Sequence, residues 1–157
     1  MKNLKKILAV LLCGVLLFAL AACGEEPAKN PKTADVVASL RDAIEFPEMA
    51  EQPVDNLSFF GYDLTAADVE DMTFILAGSG ITSDEVCIIK LTDASKASAV
   101  VDMMKARRDE VKATAASYTP AEVEKLDTAV IGSKGAYAYY ACTNDNTKAK
   151  EILNNAF

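Results

Sequence analysis

Residues 72–91 read MTFILAGSGITSDEVCIIKL. Two runs rich in apolar and β-branched side chains, 72–77 and 85–91, flank Gly78-Ser79-Gly80 and further polar residues. That pattern predicts two strands joined as a hairpin with a longer loop. A second pair of strand-like runs, 129–132 and 136–142 (AYAYYAC), sits across a turn at 133–135. Between the pairs, 94–117 carries the longest helical pattern, with Ala97, Val100, Val101, Met104, Val111, Ala115 and Tyr118 forming one stripe. Two hairpins separated by a long helix predict an α+β two-layer domain. Its sheet is largely antiparallel, of about four strands, with the long helix and shorter helices on one face.

The flanking segments fill in this frame. Val36, Val37, Leu40 and Ile44 recur on one face of a helix over 34–44. Pro47 ends it, and 45–57, with Pro53, reads as a loop. Thr65-Ala66-Ala67-Asp68 approximates a capping box and predicts a short helix over 66–70. Thr119-Pro120-Ala121-Glu122 predicts a second helix start, with Thr as cap, Pro in the first turn and Glu122 reaching back. A last helix begins at 144–146, with Ala149, Ile152, Leu153 and Ala156 facing inward. The Asn144-Asp145-Asn146 cluster lacks the glycine and closing glutamate of a calcium loop, and capping accounts for it better.

The first residues give an address. Lys2, Lys5 and Lys6 precede an uncharged apolar run over 7–22. As a helix that run spans about 24 Å, short of the roughly 30 Å of a bilayer core. It stops at Leu20-Ala21-Ala22-Cys23, which resembles the bacterial lipobox. Small residues before a cut suit a peptidase cleft. The resemblance implies that a diacylglyceryl group joins the Cys23 thiol and that cleavage makes Cys23 the first mature residue. Two acyl chains hold a protein stably where one binds only marginally. Residues 1–22 are then a lipoprotein signal peptide, 23–33 a polar tether and 34–157 a single domain. The expected location is the outer face of the cytoplasmic membrane.

Composition narrows the partners and the chemistry. Removing 1–22 takes three of the 16 basic residues and none of the 23 acidic ones, leaving 13 against 23, net −10. Such a surface argues against nucleic acid. There is no histidine, which removes Ser-His-Asp and Cys-His nucleophile systems and the commonest metal ligand. No cofactor is expected beyond the lipid on Cys23. With Cys13 in the leader and Cys23 lipidated, Cys87 and Cys142 remain. A disulfide between them would close a loop of about 56 residues, worth ~4 kcal/mol in the chain-entropy model. Both also sit in apolar, strand-like runs, where a free buried cysteine is the commoner finding.

From about residue 57 to 157 the chain resembles a family of bacterial lipoproteins and secreted proteins, the domain of unknown function 4358 (DUF4358). The resemblance rests on Tyr62-Asp63, on Asp84-Glu85-Val86-Cys87-Ile88-Ile89-Lys90, on Arg107 through Tyr118-Thr119-Pro120, and on Gly135-Ala136-Tyr137. It departs between the arginine and the tyrosine, where the family tends to have a glutamine and an aromatic and this chain has RDEVKATAAS. The resemblance implies a lipoprotein of the kind found chiefly in Gram-positive bacteria, and implies no activity.

Three residues of that stretch are candidates for interaction. Arg108 projects about 40° from the buried direction of the long helix and Arg107 about 60° on the other side, so both flank the apolar stripe. The resemblance favours Arg107 as the family's arginine. Either guanidinium could grip a carboxylate or phosphate on a partner, or lie on apolar surface paired to one of the chain's own acids. Tyr118 is expected as a core ring with a bonded hydroxyl rather than a ligand platform. Tyr137 and Tyr139 share one strand face and Tyr140 takes the other, as core packing or as a binding surface on an open face. The function expected is a non-catalytic binding module at the cell envelope, meeting a protein or cell-wall component. The alternatives are a small solute-binding lipoprotein and a carboxylate-dependent enzyme.

Overall fold

The computed structural model describes residues 29–157. Leu20, Ala21, Ala22 and Cys23, with the signal peptide and most of the tether, lie outside the described residues. Helix α1 covers Thr33–Ala43, followed by strands β1 (Met49–Glu51), β2 (Val69–Ala77) and β3 (Glu85–Leu91). Then come α2 (Ala97–Tyr118), α3 (Val123–Asp127), β4 (Val130–Lys134), β5 (Tyr137–Cys142) and α4 (Asn146–Ala156). The strands form one sheet in the order β1-β2-β3-β5-β4, every neighbour antiparallel. The α+β class and both hairpins are as the sequence predicts.

Two features of the architecture differ from expectation. The sheet has five strands, because the segment read as a loop contains β1, which pairs Met49 with Ala77 and Glu51 with Ile75. Three residues between Pro47 and Pro53 are too few for a period-two pattern to show. The same segment continues into a 3-10 turn over Val54–Phe60.

The second difference is a third layer. Phe74, Cys87, Ile89, Ala138 and Tyr140 pack on one face with Val100, Met104 and Ala115 of α2 and Leu126 of α3. Ile75, Val86, Ile88, Tyr137 and Ala141 pack on the other with Val36, Val37 and Leu40 of α1 and Ala149 and Leu153 of α4. Helices therefore cover both faces instead of one. Fully burying Leu40 and Leu153 contributes about 1.5–3 kcal/mol apiece. The physical cause is the central position of β3, whose side chains need cover in both directions.

Local chemistry fixes the joints. The Thr33 N–H donates to Asp71 Oδ2 at 2.8 Å, and the Thr33 and Thr73 hydroxyls meet at 2.9 Å, so β2 holds the start of α1. Lys29 to Lys32, read as the end of the tether, lie against the domain: the Tyr137 hydroxyl donates to Asn30 Oδ1 or the Pro31 carbonyl, each 2.8 Å away. The tyrosine alternation holds, with Tyr137 and Tyr139 on the α1/α4 side and Tyr140 on the α2 side. Tyr139 stacks on Phe157 and lies over Gly132, where a Cβ would come within 2.7 Å of its hydroxyl. Gly135 turns the β4–β5 hairpin at φ +58°.

Three cap readings met different outcomes. Asp145 caps α4 by accepting from the Lys148 N–H at 2.8 Å. Asp68 reaches back to the Thr65 N–H at 2.9 Å, but the turn it starts is shorter than expected, Ala66–Asp68, because β2 begins at Val69. Glu122 does not fold back on Thr119. Its Oε2 accepts from the Ser83 N–H at 2.8 Å, tying α3 to the β2–β3 loop.

Candidate functional site

Glu85, the first residue of β3, and Asp84 just before it are the buried carboxylates among the described residues. Glu85 shares the strand face of Cys87, the face covered by α2, so its carboxylate meets Arg107. The guanidinium Nη2 donates to Glu85 Oε2 at 3.0 Å and Nε approaches Oε1 at 3.4 Å. It also stacks over the Phe60 ring at 5.2 Å and stands 4.0 Å from Glu110. Asp84 is only 2% exposed. Its Oδ2 accepts from Lys125 Nζ at 2.9 Å, and the same ammonium pairs with Glu122 at 2.8 Å. Two ion-pair sets thus stand side by side, one around Arg107 of α2 and one around Lys125 of α3.

Burial sets their electrostatics. Desolvation pushes the Glu85 carboxyl above its ordinary 4.5, and the charge and hydrogen bond of Arg107 only partly oppose it. For Lys125 burial pulls the ammonium down, but the hydrogen bonds to Glu122 and Asp84 outweigh it and leave it raised. The neighbouring thiols are inert. Burial lifts Cys87 well above its usual range and Cys142 to about 12, so neither is a thiolate nucleophile at neutral pH. The Tyr62 and Tyr140 hydroxyls, buried without an oxygen or nitrogen partner, face these sulfurs.

Cys87 and Cys142 are free. They share a sheet face on adjacent strands, but Cys87 stands opposite Tyr140 and Cys142 opposite Glu85, two positions out of step. The disulfide that the sequence left open is not made.

Beside the charges lies a cleft of about 280 Å³, floored by Asp84, Glu85 and Arg107 and walled by the β2–β3 loop and the last turns of α2. Arg107 belongs to it. Arg108 does not: it pairs with its chain neighbour Asp109 at 2.7 Å. Tyr118 corrects the expectation of a core ring, since it is 82% exposed. Tyr118 stays within about 60° of the inward direction, but it is the last residue of α2, where the layer that covers Ala115 has ended. Thr119 beside it lines the cleft, as do Gly80 and Thr82 on either side of exposed Ile81. Sequence reasoning missed Lys125 and Glu122 as parts of the site. The only available signal was their i, i+3 spacing, which fits any helix surface.

Over residues 42–143 the chain matches the model of the family described as Domain of unknown function (DUF4358). The chain belongs to that family. The DUF4358 match starts earlier than the resemblance read from sequence, taking in β1 and the 3-10 turn, and ends at Thr143, before α4. It covers every strand and the whole cleft. No curated protein and no solved structure matches the chain.

The DUF4358 residues quoted from sequence converge here: Glu85 and Arg107 pair, Tyr62 lies close to both, and Thr119, the chain neighbour of exposed Tyr118, lines the cleft. Among the described residues no group of three or more His, Cys, Asp or Glu is placed to hold a metal ion. A larger hollow of about 550 Å³ lies at the far end of β3 around Lys90 and Lys134. Its lysines already donate internally, Lys29 to the Asn155 carbonyl, Lys134 to an oxygen of Phe157 and Lys90 to Glu70. Chemically, the buried charges at the cleft suit holding a shape and meeting a complementary group. Each carboxylate there stands against a cation, but Arg107 and Lys125 are each shared between two acids.

Proposed function

We propose that this chain is a lipid-anchored, non-catalytic binding module on the outer face of the cytoplasmic membrane, where it meets an envelope protein or cell-wall component. The observation that carries the reading is Leu20-Ala21-Ala22-Cys23 at the end of a basic-then-apolar leader. A covalent diacylglyceryl group on Cys23 supplies the anchor, and the acidic domain has no need of a basic membrane patch. Among the described residues no helix is long and apolar enough to cross a membrane, so attachment through the lipid is consistent with them.

Support for a binding role rather than catalysis comes from the cleft. Its carboxylates stand against Arg107 and Lys125, and the thiols buried in the core beside it are held protonated. The absence of histidine from the sequence points the same way. Mass spectrometry of the processed chain tests the anchor: the expected product starts at Cys23 with two acyl chains in thioether linkage. A bare Cys23 thiol, or retention of 1–22, overturns it. Crosslinking of the anchored chain in living cells tests the binding role, and a specific envelope partner is the expected product.

A further inference from the structure

We propose that the cleft at the start of β3 receives one cationic side chain, a lysine or arginine, from a segment of a partner protein. This deepens the binding-module reading and rests on it. Four acids stand at the cleft and its floor, Asp84, Glu85, Glu110 and Glu122, against two cations, Arg107 and Lys125. The internal pairs therefore leave two negative charges without a counter-ion.

The acceptor atoms are in place. Asp84 Oδ1 is buried with no hydrogen-bond partner, although Oδ2 of the same carboxylate binds Lys125. Thr82 Oγ1 is likewise buried and unpartnered, and both residues line the cleft. Both oxygens lie just behind the cleft surface. Buried polar atoms are nearly always satisfied, so two orphans on residues that line one cleft mark where a donor is accepted once the side chains turn outward. Glu110 sits at the mouth, 72% exposed and held only loosely by Arg107 at 4.0 Å, free to turn toward an incoming charge.

Size and surroundings select the form of the cation. At about 280 Å³ the cleft falls at the bottom of the range for small-molecule pockets, about 300–1,000 Å³, and suits one long side chain better than a cofactor. Ile81, 71% exposed between the lining residues Gly80 and Thr82, and Tyr118, next to the lining residue Thr119, offer apolar contact to residues on either side of the inserted one. The exposed tyrosine ring adds a cation–π surface. The chain's net charge of −7 draws cationic segments in before contact.

The test uses the full chain in detergent and synthetic heptapeptides with a central Lys, Arg, norleucine or Glu between leucines. Lys and Arg peptides should bind at least about tenfold more tightly than norleucine or Glu peptides. Asp84→Asn should remove that preference. Because Asp84 is buried, Glu110→Gln and Tyr118→Ala serve as surface variants whose folding is not in doubt, and each should weaken Lys-peptide binding about threefold or more. Equal binding of the norleucine peptide, indifference to all three substitutions, or tight binding of cadaverine alone overturns the proposal. Photocrosslinkers at Ile81 and at Ser39, on the opposite face, separate this idea from the broader one. Partner capture from Ile81 supports the cleft, capture only from Ser39 overturns it while sparing the binding module, and capture from neither counts against both.

Discussion

At its first residue β3 buries Glu85 against Arg107, whereas at Lys90, near its other end, it offers an ammonium to Glu70 in water. Both are ion pairs of one carboxylate and one cation on the same sheet. The Glu85 side chain is 5% exposed and its guanidinium partner 17%, while Glu70 is 54% exposed. A buried pair is a structural commitment, because each charge has left water and depends on the other. A surface pair is optional, because water stands ready to replace either partner. The difference teaches that position along one strand, not residue type, decides what an ion pair does for this fold.

The largest effect expected follows from removing the guanidinium. Arg107→Ala leaves Glu85 buried without a counter-charge and strips the cover from Phe60, so stability should fall by about 3–5 kcal/mol. The urea midpoint measures it. A loss under about 1 kcal/mol would mean that the buried pair behaves like a surface one and would erase the contrast. Lys125→Met should cost less, about 2 kcal/mol, because methionine keeps most of the apolar stem that alanine at 107 deletes, and the loss is confined to the charge facing Asp84 and Glu122.

The pH dependence sharpens the comparison within the buried end. Burial raises Glu85, so the folded chain holds that proton more tightly than the unfolded one. Its contribution to stability is full below the ordinary 4.5 and is lost as pH rises through the raised folded value. Glu122 runs the other way. Burial pushes it up, but the Lys125 hydrogen bond and the Ser83 N–H overcome this and hold it low. Its contribution is present above 4.5 and disappears as pH falls through the lowered folded value. Urea midpoints measured across this range should lose their decline above 4.5 in Glu85→Gln and their acid-side decline in Glu122→Gln. Identical profiles for both variants would contradict the assignment of opposite environments.

Much of this architecture was legible because it is written locally. The run EVCIIKL announces a strand, and its near-continuous apolarity already hints at cover on both faces. A two-layer fold would leave one of those faces bare. Helix α4 and its Asp145 cap could be read because cap and donor lie three residues apart. The ionic cluster could not. Asp84 and Lys125 are 41 positions apart, and nothing in an acid followed by an acid reveals that both are buried or which cation each meets. Tyr118 misled for a related reason, since periodicity gives a direction around a helix but not where the covering layer stops.

The smallest effect belongs to the exposed end. Glu70→Gln removes the carboxylate from Lys90, yet the denaturation midpoint should stay within error of the parent chain. Two features explain why. Water solvates the ammonium once Glu70 is gone, and the Lys90 stem keeps its place near the Tyr137 ring, with the nitrogen 6.0 Å from the ring centre. Lys90→Ala would mix the two effects, because it also deletes that stem, so the substitution on the acid side is the cleaner probe. Raising the salt concentration should leave the variant and its parent equally stable. If Glu70→Gln destabilised the chain as Arg107→Ala is expected to, burial would not be what separates the two ends of β3. The strand's own charge pattern would then have to carry the explanation.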